Sequence, residues 1–168
     1  MAEIVVLSLT AAKEWLKMDL EYTLEDALLN SIIASAIEYC EKYTGLTFGL
    51  KSLQSYSSKS VHELPGCPVW DVTSVKDLQG NYVQYNRKGF QYPTLYFSCD
   101  QDVITTYTAG FGHNLPEGLR TAVKMMVATL YENRESYVIG SRGDSLIELP
   151  LGVTDLLRPY SRSGGLFI

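Results

Sequence analysis

The chain has little from which a catalytic or metal centre is usually built. It contains two histidines, His62 and His113, and three cysteines, Cys40, Cys67 and Cys99, with no C-x-x-C pair among them. A zinc site generally draws on short-spaced ligand pairs, so these five residues, scattered over remote segments, argue against one. The cysteines read instead as small buried hydrophobes and the histidines as surface or turn residues. An odd cysteine count also argues against a disulfide framework and fits a reducing compartment. No uninterrupted apolar run approaches the ~18 residues of a membrane span, and no basic stretch precedes an apolar one at the N-terminus. The expectation is a soluble, untargeted protein with no membrane partner.

Positive charge is scarce as well. Fourteen Lys and Arg stand against nineteen Asp and Glu, a formal net charge of -5. Duplex affinity comes mostly from basic side chains displacing counterions from phosphates, so tight DNA binding is disfavoured. Local basicity is confined to Arg134, Arg142, Arg158 and Arg162. Catalytic motifs are missing too. No serine sits in a nucleophile elbow. Gly110-Phe111-Gly112 begins like a dinucleotide fingerprint, but Leu115 occupies the place of the third glycine, so it reads as a strand-to-helix turn. Asp19, Glu21, Glu25 and Asp26 read as helix-start charge, and Arg142-Gly143-Asp144 as loop. The chain is expected to be no enzyme and to carry no cofactor and no metal.

What is present is globular material: 46% hydrophobic and 20% charged over 168 residues, enough for one good core. Thr10 is placed to cap a short helix carrying Trp15 and Leu16. Thr23, with Asp26 three residues on, forms a variant capping box for a long helix from Leu24 to about Thr44. Gly45 ends it in the left-handed conformation that glycine tolerates. Leu28, Leu29, Ile32, Ile33, Ala36, Ile37, Tyr39, Cys40 and Tyr43 cover more than one face, so this helix should be buried on two sides, against the other helices or a neighbouring subunit. A later helix, Pro116 to Arg134, opens on a proline whose missing N–H costs nothing there. Its residues Leu119, Val123, Met126, Leu130, Tyr131 and Arg134 are the candidates for core or intersubunit contact, since the apolar ones recur at three-four spacing.

Between these helices, from about Leu53 to Ala109, short runs rich in valine, threonine and tyrosine are broken by Pro65-Gly66, Pro68, Gly80-Asn81, Lys88-Gly89 and Pro93. Strands are expected at Val72–Leu78, Tyr82–Asn86, Thr94–Phe97 and Val103–Thr108, with a hairpin at Gly80-Asn81. The fold class is therefore α+β: mainly a bundle of long and short helices, with an inserted small antiparallel β meander and an extended C-terminal segment. Residues 1–160 form a single domain, helical over 9–45 and 115–158 with the β insert at about 51–110, and 161–168 form a flexible tail. The segment Ser136 to Glu148 reads as a loop that is mobile in a free subunit and ordered in an assembly, or as an ordinary surface loop.

Several pieces recur in a familiar order. They are Trp15-Leu16-Lys17-Met18-Asp19, Tyr43-Thr44-Gly45, Leu64-Pro65-Gly66-Cys67-Pro68-Val69 and Tyr107-Thr108-Ala109-Gly110-Phe111. After them come Tyr131-Glu132-Asn133-Arg134-Glu135, Leu149-Pro150-Leu151-Gly152-Val153 and Leu156-Leu157-Arg158-Pro159-Tyr160. Together they resemble the small head-tail connector (adaptor) proteins of tailed bacteriophages. That resemblance implies a structural virion protein at the head-tail interface, present in host cytoplasm during assembly. Its subunits would form a ring of about twelve copies, closed by a heterologous interface, and could be monomeric when free. The ring would join the portal protein to tail-completion or stopper proteins and enclose passing double-stranded DNA without binding it specifically. Candidate docking residues toward the portal or another partner are Leu149, Pro150, Val153, Leu156, Leu157, Arg158, Pro159 and Tyr160, with Leu166, Phe167 and Ile168 at an apolar tip beyond Gly164-Gly165. The alternative is a monomeric binding or assembly-regulating module involved in DNA packaging.

Overall fold

A computed structural model of the chain describes residues 6–133 and 151–161. Two compact units emerge, one helical, from Val5–Thr44 and Leu115–Ile168, and one of β-structure, chiefly Gly45–Asn114. The class is α+β.

The helical unit contains α1 (Leu9–Trp15), α2 (Asp26–Thr44), α3 (Glu117–Glu132) and α4 (Leu151–Leu157), the last followed by a 3-10 turn, Arg158–Tyr160. Ser8, not Thr10, caps α1: its backbone is extended and its hydroxyl accepts from Ala11 N at 3.2 Å. The start is set earlier because Leu7 and Ala12, the positions that staple a helix N-terminus, are both buried. Helix α2 begins at Asp26 rather than Leu24, since residues from Thr23 form a turn in which Asp26 N donates to Thr23 O at 3.2 Å. Its end at Gly45, φ 70°, is the left-handed stop the sequence implies. Leu29, Ile32, Ile33, Ala36, Cys40 and Tyr43 form its buried stripe, which packs on α1, α3 and α4. Helix α3 buries Leu119, Ala122, Val123, Met126 and Val127, each fully covered aliphatic side chain contributing about 1.5–3 kcal/mol.

The β unit has two three-stranded sheets, both antiparallel. In one, β6 (Val103–Ala109) lies between β1 (Lys51–Ser57) and β3 (Val69–Asp77); in the other, β5 (Thr94–Tyr96) lies between β2 (Val61–Glu63) and β4 (Asn86–Lys88). Strand β6 alternates as a half-buried strand must, with Val103, Thr105, Tyr107 and Ala109 inward. The Gly80-Asn81 turn forms, with Asp77 N donating to Asn81 O and Val83 N to Val75 O. The return strand expected at Tyr82–Asn86 does not. After one bridge, Lys76 to Tyr82, the chain leaves β3 and pairs as β4 in the other sheet. The Asp77 carboxylate holds Asn81 N at 2.8 Å and Asn81 Nδ2 at 3.0 Å, which fixes the turn without requiring a longer ladder.

Candidate functional site

With interaction rather than catalysis in view, the informative places are those where apolar side chains remain outside. One is the connection between α1 and α2. Helix α1 closes in the six-to-one pattern of a Schellman turn, Met18 N donating to Lys13 O at 2.9 Å and Lys17 N to Glu14 O at 3.1 Å. The left-handed position is taken by Lys17, φ 56°, a non-glycine residue for which that conformation costs about 1 kcal/mol. The chain then runs out through Asp19, whose side chain accepts from Glu21 N, and turns back into α2.

Lys13 holds this connection. It is 3% exposed, and its ammonium donates to Leu20 O at 3.3 Å and Tyr22 O at 2.7 Å while pairing with the Asp26 carboxylate at 2.6 Å. Two hydrogen bonds and one ion pair on a single buried ammonium fix two loop carbonyls relative to both helices. The loop's own side chains stay outside: Leu20 is 50% exposed, Tyr22 41% and Leu24 84%. Tyr131 donates to the Glu25 carboxylate, tying α3 to the start of α2. Ion pairing and hydrogen bonding thus explain Glu25 and Asp26, whereas Asp19 and Glu21 lie exposed on the loop.

The β unit carries a second exposed apolar site, a groove of about 220 Å³ lined by Pro68, Val69, Trp70, Phe90, Gln91, Phe111 and Asn114. Trp70 is 50% exposed and Phe90 74%. Gly110 positions the lining residue Trp70: a Cβ at Gly110 would stand 2.1 Å from Gly49 O, and Gly110 O accepts from the Trp70 indole N–H. Arg87 braces two of the lining residues from beside the groove, its guanidinium donating to Phe90 O at 2.7 Å and Val69 O at 3.3 Å.

The C-terminal candidates divide. Val153 and Leu157 are fully buried in the helical unit, where α4 packs on α3, so their side chains are core and not docking surface. Arg158 and Pro159 are exposed, and Leu156 and Tyr160 partly so. Of the α3 candidates, Leu119, Val123 and Met126 are core, whereas Leu130 and Tyr131 are only partly covered. Leu149, Pro150, Leu166, Phe167, Ile168, Arg134, the Ser136 to Glu148 segment and Arg142-Gly143-Asp144 lie outside the described residues.

Most of the reactive residue types are occupied structurally, although Cys99 is exposed and so is not the buried hydrophobe expected of it. Cys40 and Cys67 are buried, and burial pushes the Cys40 thiol up to about 12. Ser55 Oγ and His62 Nε2 share a hydrogen bond of 2.7 Å, and burial lowers the His62 pKa, favouring the neutral ring. A serine-histidine contact needs a group orienting the imidazole and an oxyanion site before it is a catalytic pair, and this one links β1 to β2 instead. Among the described residues no cluster of three or more His, Cys, Asp or Glu is placed to hold a metal, and no helix is long and apolar enough to cross a membrane. Gly112–Asn114 forms a short 3-10 turn after β6, the strand-to-helix role read from Gly110-Phe111-Gly112.

Residues 6–66, which span α1, α2 and the first two strands, match the family described as phage gp6-like head-tail connector proteins. The chain resembles head-tail connectors. Likeness of fold to solved structures extends well beyond that segment. A chain from the neck of an empty gene transfer agent (GTA) particle, computed with C6 symmetry, aligns at a TM-score of 0.74 and 22% identity over 93% of this chain and 89% of that one. A chain from the neck of the native particle, computed with C12 symmetry, aligns at 0.66 and 21% identity over 95% and 93%. A chain from the native virion of the agent aligns at 0.62 and 24% identity, again over 95% and 93%. These likenesses establish a shared fold. No curated protein matches the chain.

Proposed function

We propose that this chain is a structural subunit of a head-tail connector, assembling into a ring of about twelve copies that joins the portal vertex to tail or stopper proteins and encloses the DNA channel. The observation that carries this reading is the match of residues 6–66 to the connector family, supported by a fold shared over nine-tenths of the chain with neck proteins of a phage-like particle. Exposed apolar side chains on both units suit a protein that works by being covered by others. An acidic balance suits a conduit, because a mildly negative wall repels phosphates and lets a duplex slide. The remaining docking candidates toward the portal are Leu156, Arg158, Pro159 and Tyr160, together with Leu149, Pro150, Leu166, Phe167 and Ile168. The subunit is assembled in host cytoplasm and ends at the head-tail interface of the virion.

Loss of the chain should yield heads that package DNA but fail to retain it or to join tails. Thin-section microscopy of cells infected with a null mutant would then show tailless heads, some emptied. Accumulation of unexpanded proheads with uncut concatemers would place the chain in packaging and overturn the connector reading in favour of an assembly-regulating module.

A further inference from the structure

Closing a ring requires a heterologous contact, in which one patch of a subunit fits a different patch of the next. Resting on the ring reading above, we propose that this lateral contact is made by the α1–α2 loop of one copy seated in the Trp70–Phe90 groove of its neighbour. The two surfaces match in size. Leu24 is the most exposed large apolar side chain of the described residues, and the groove's 220 Å³ admits one such group, since an apolar cavity of about 150 Å³ accepts a benzene ring.

They match in charge as well. From Asp19 onward the loop and the start of α2 present Asp19, Glu21, Glu25 and Asp26 with no basic residue among them, the exposed Lys17 lying just after α1. Glu25 and Asp26 are bound within their own unit, leaving the exposed carboxylates of Asp19 and Glu21 beside Leu20 and Leu24. Next to the groove stands Arg87, whose guanidinium donates to the carbonyl oxygens of two of its lining residues, Val69 and Phe90. An incoming carboxylate would give that guanidinium a charged partner, and the pair would fix register as well as attraction.

The loop is also prepared for the task. Lys13 fixes the Leu20 and Tyr22 carbonyls before any partner arrives, so little conformational entropy remains to be lost on docking. Each copy carries one loop and one groove, so the contact propagates from subunit to subunit and ends only when the ring closes.

The test is site-directed cross-linking in purified particles carrying the full chain. Leu24→Cys and Phe90→Cys are introduced together on a Cys99→Ser background and treated with a short bis-thiol reagent. The expected result is a ladder of covalent multiples of the subunit, absent when either introduced cysteine is present without the other. Intact necks containing the double variant as monomer alone would overturn the loop-in-groove contact and leave the ring reading standing. Absence of the unaltered chain from purified particles would overturn both. Should the cysteines hinder incorporation, the charge pair decides. Glu21→Arg and Arg87→Glu should each lower the amount of chain in particles several-fold, and the combination should recover it. Equal loss in the combined variant would overturn the contact.

Discussion

Lys13 shows how one side chain couples fold to surface. Lysine is rarely buried, because an unpaired ammonium away from water is costly. Here the cost is met by one carboxylate and two carbonyls, all supplied by the thirteen residues that follow it. Lys13→Met should therefore lower stability by about 3 kcal/mol, the scale for removing one partner from a buried ion pair. The loss should concentrate in the α1–α2 loop, where amide hydrogen exchange of Leu20 to Thr23 would speed up more than that of α3. Uniform acceleration in both places would mean that Lys13 supports the unit as a whole and not the loop in particular. Sequence periodicity could not find this residue. A lysine one place after Ala12 looks like a solvated position, and its partners lie in a loop whose path depends on Lys17 adopting a conformation that residue types other than glycine seldom take.

At the scale of elements, α3 separates residues that the apolar stripe treats alike. Met126 is buried and Leu130 only partly so. Met126→Ala should cost about 2–5 kcal/mol by leaving a cavity, and Leu130→Ala distinctly less, because part of its surface already meets solvent. Thermal or denaturant unfolding of the two variants checks the order, and equal losses would place Leu130 in the core. Helix α3 was the legible part of the sequence for a physical reason: it buries one stripe, and a stripe writes a period, whereas α2, expected to be buried on two sides, leaves Leu28 exposed and Ile37 and Tyr39 partly covered. The short strands β1 and β2 wrote none. Lys51-Ser52-Leu53-Gln54-Ser55-Tyr56-Ser57 is an edge strand with mostly polar side chains, held by pairing with β6 rather than by burial. The return from Gly80-Asn81 misled because turn chemistry fixes a reversal but not how far the two arms stay paired. The groove was illegible for a similar reason. Pro68, Phe90 and Phe111 are far apart in the chain and meet only through the fold.

For the whole molecule, composition narrowed more than it specified: a net charge of -5 weighs against tight DNA binding. The connector resemblance came from the order of weak motifs, which are structural signatures, and those up to Leu64-Pro65-Gly66 fall in the segment, residues 6–66, that matches the connector family. Docking residues were harder to read than family. Val153 and Leu157 share the apolar C-terminal run with Leu156, yet α4 turns the first two into the core and leaves Leu156, with Arg158 and Pro159 after it, at the surface. An apolar run by itself does not say which of its members face a partner. The measurement that bears most directly on the connector reading is electron cryomicroscopy of purified tailed particles at a resolution that shows side chains. The expected map holds a symmetric ring of this fold directly beneath the portal, traceable by Trp15 and Trp70. A neck built entirely from other chains, in particles that nonetheless retain DNA and carry tails, would contradict it.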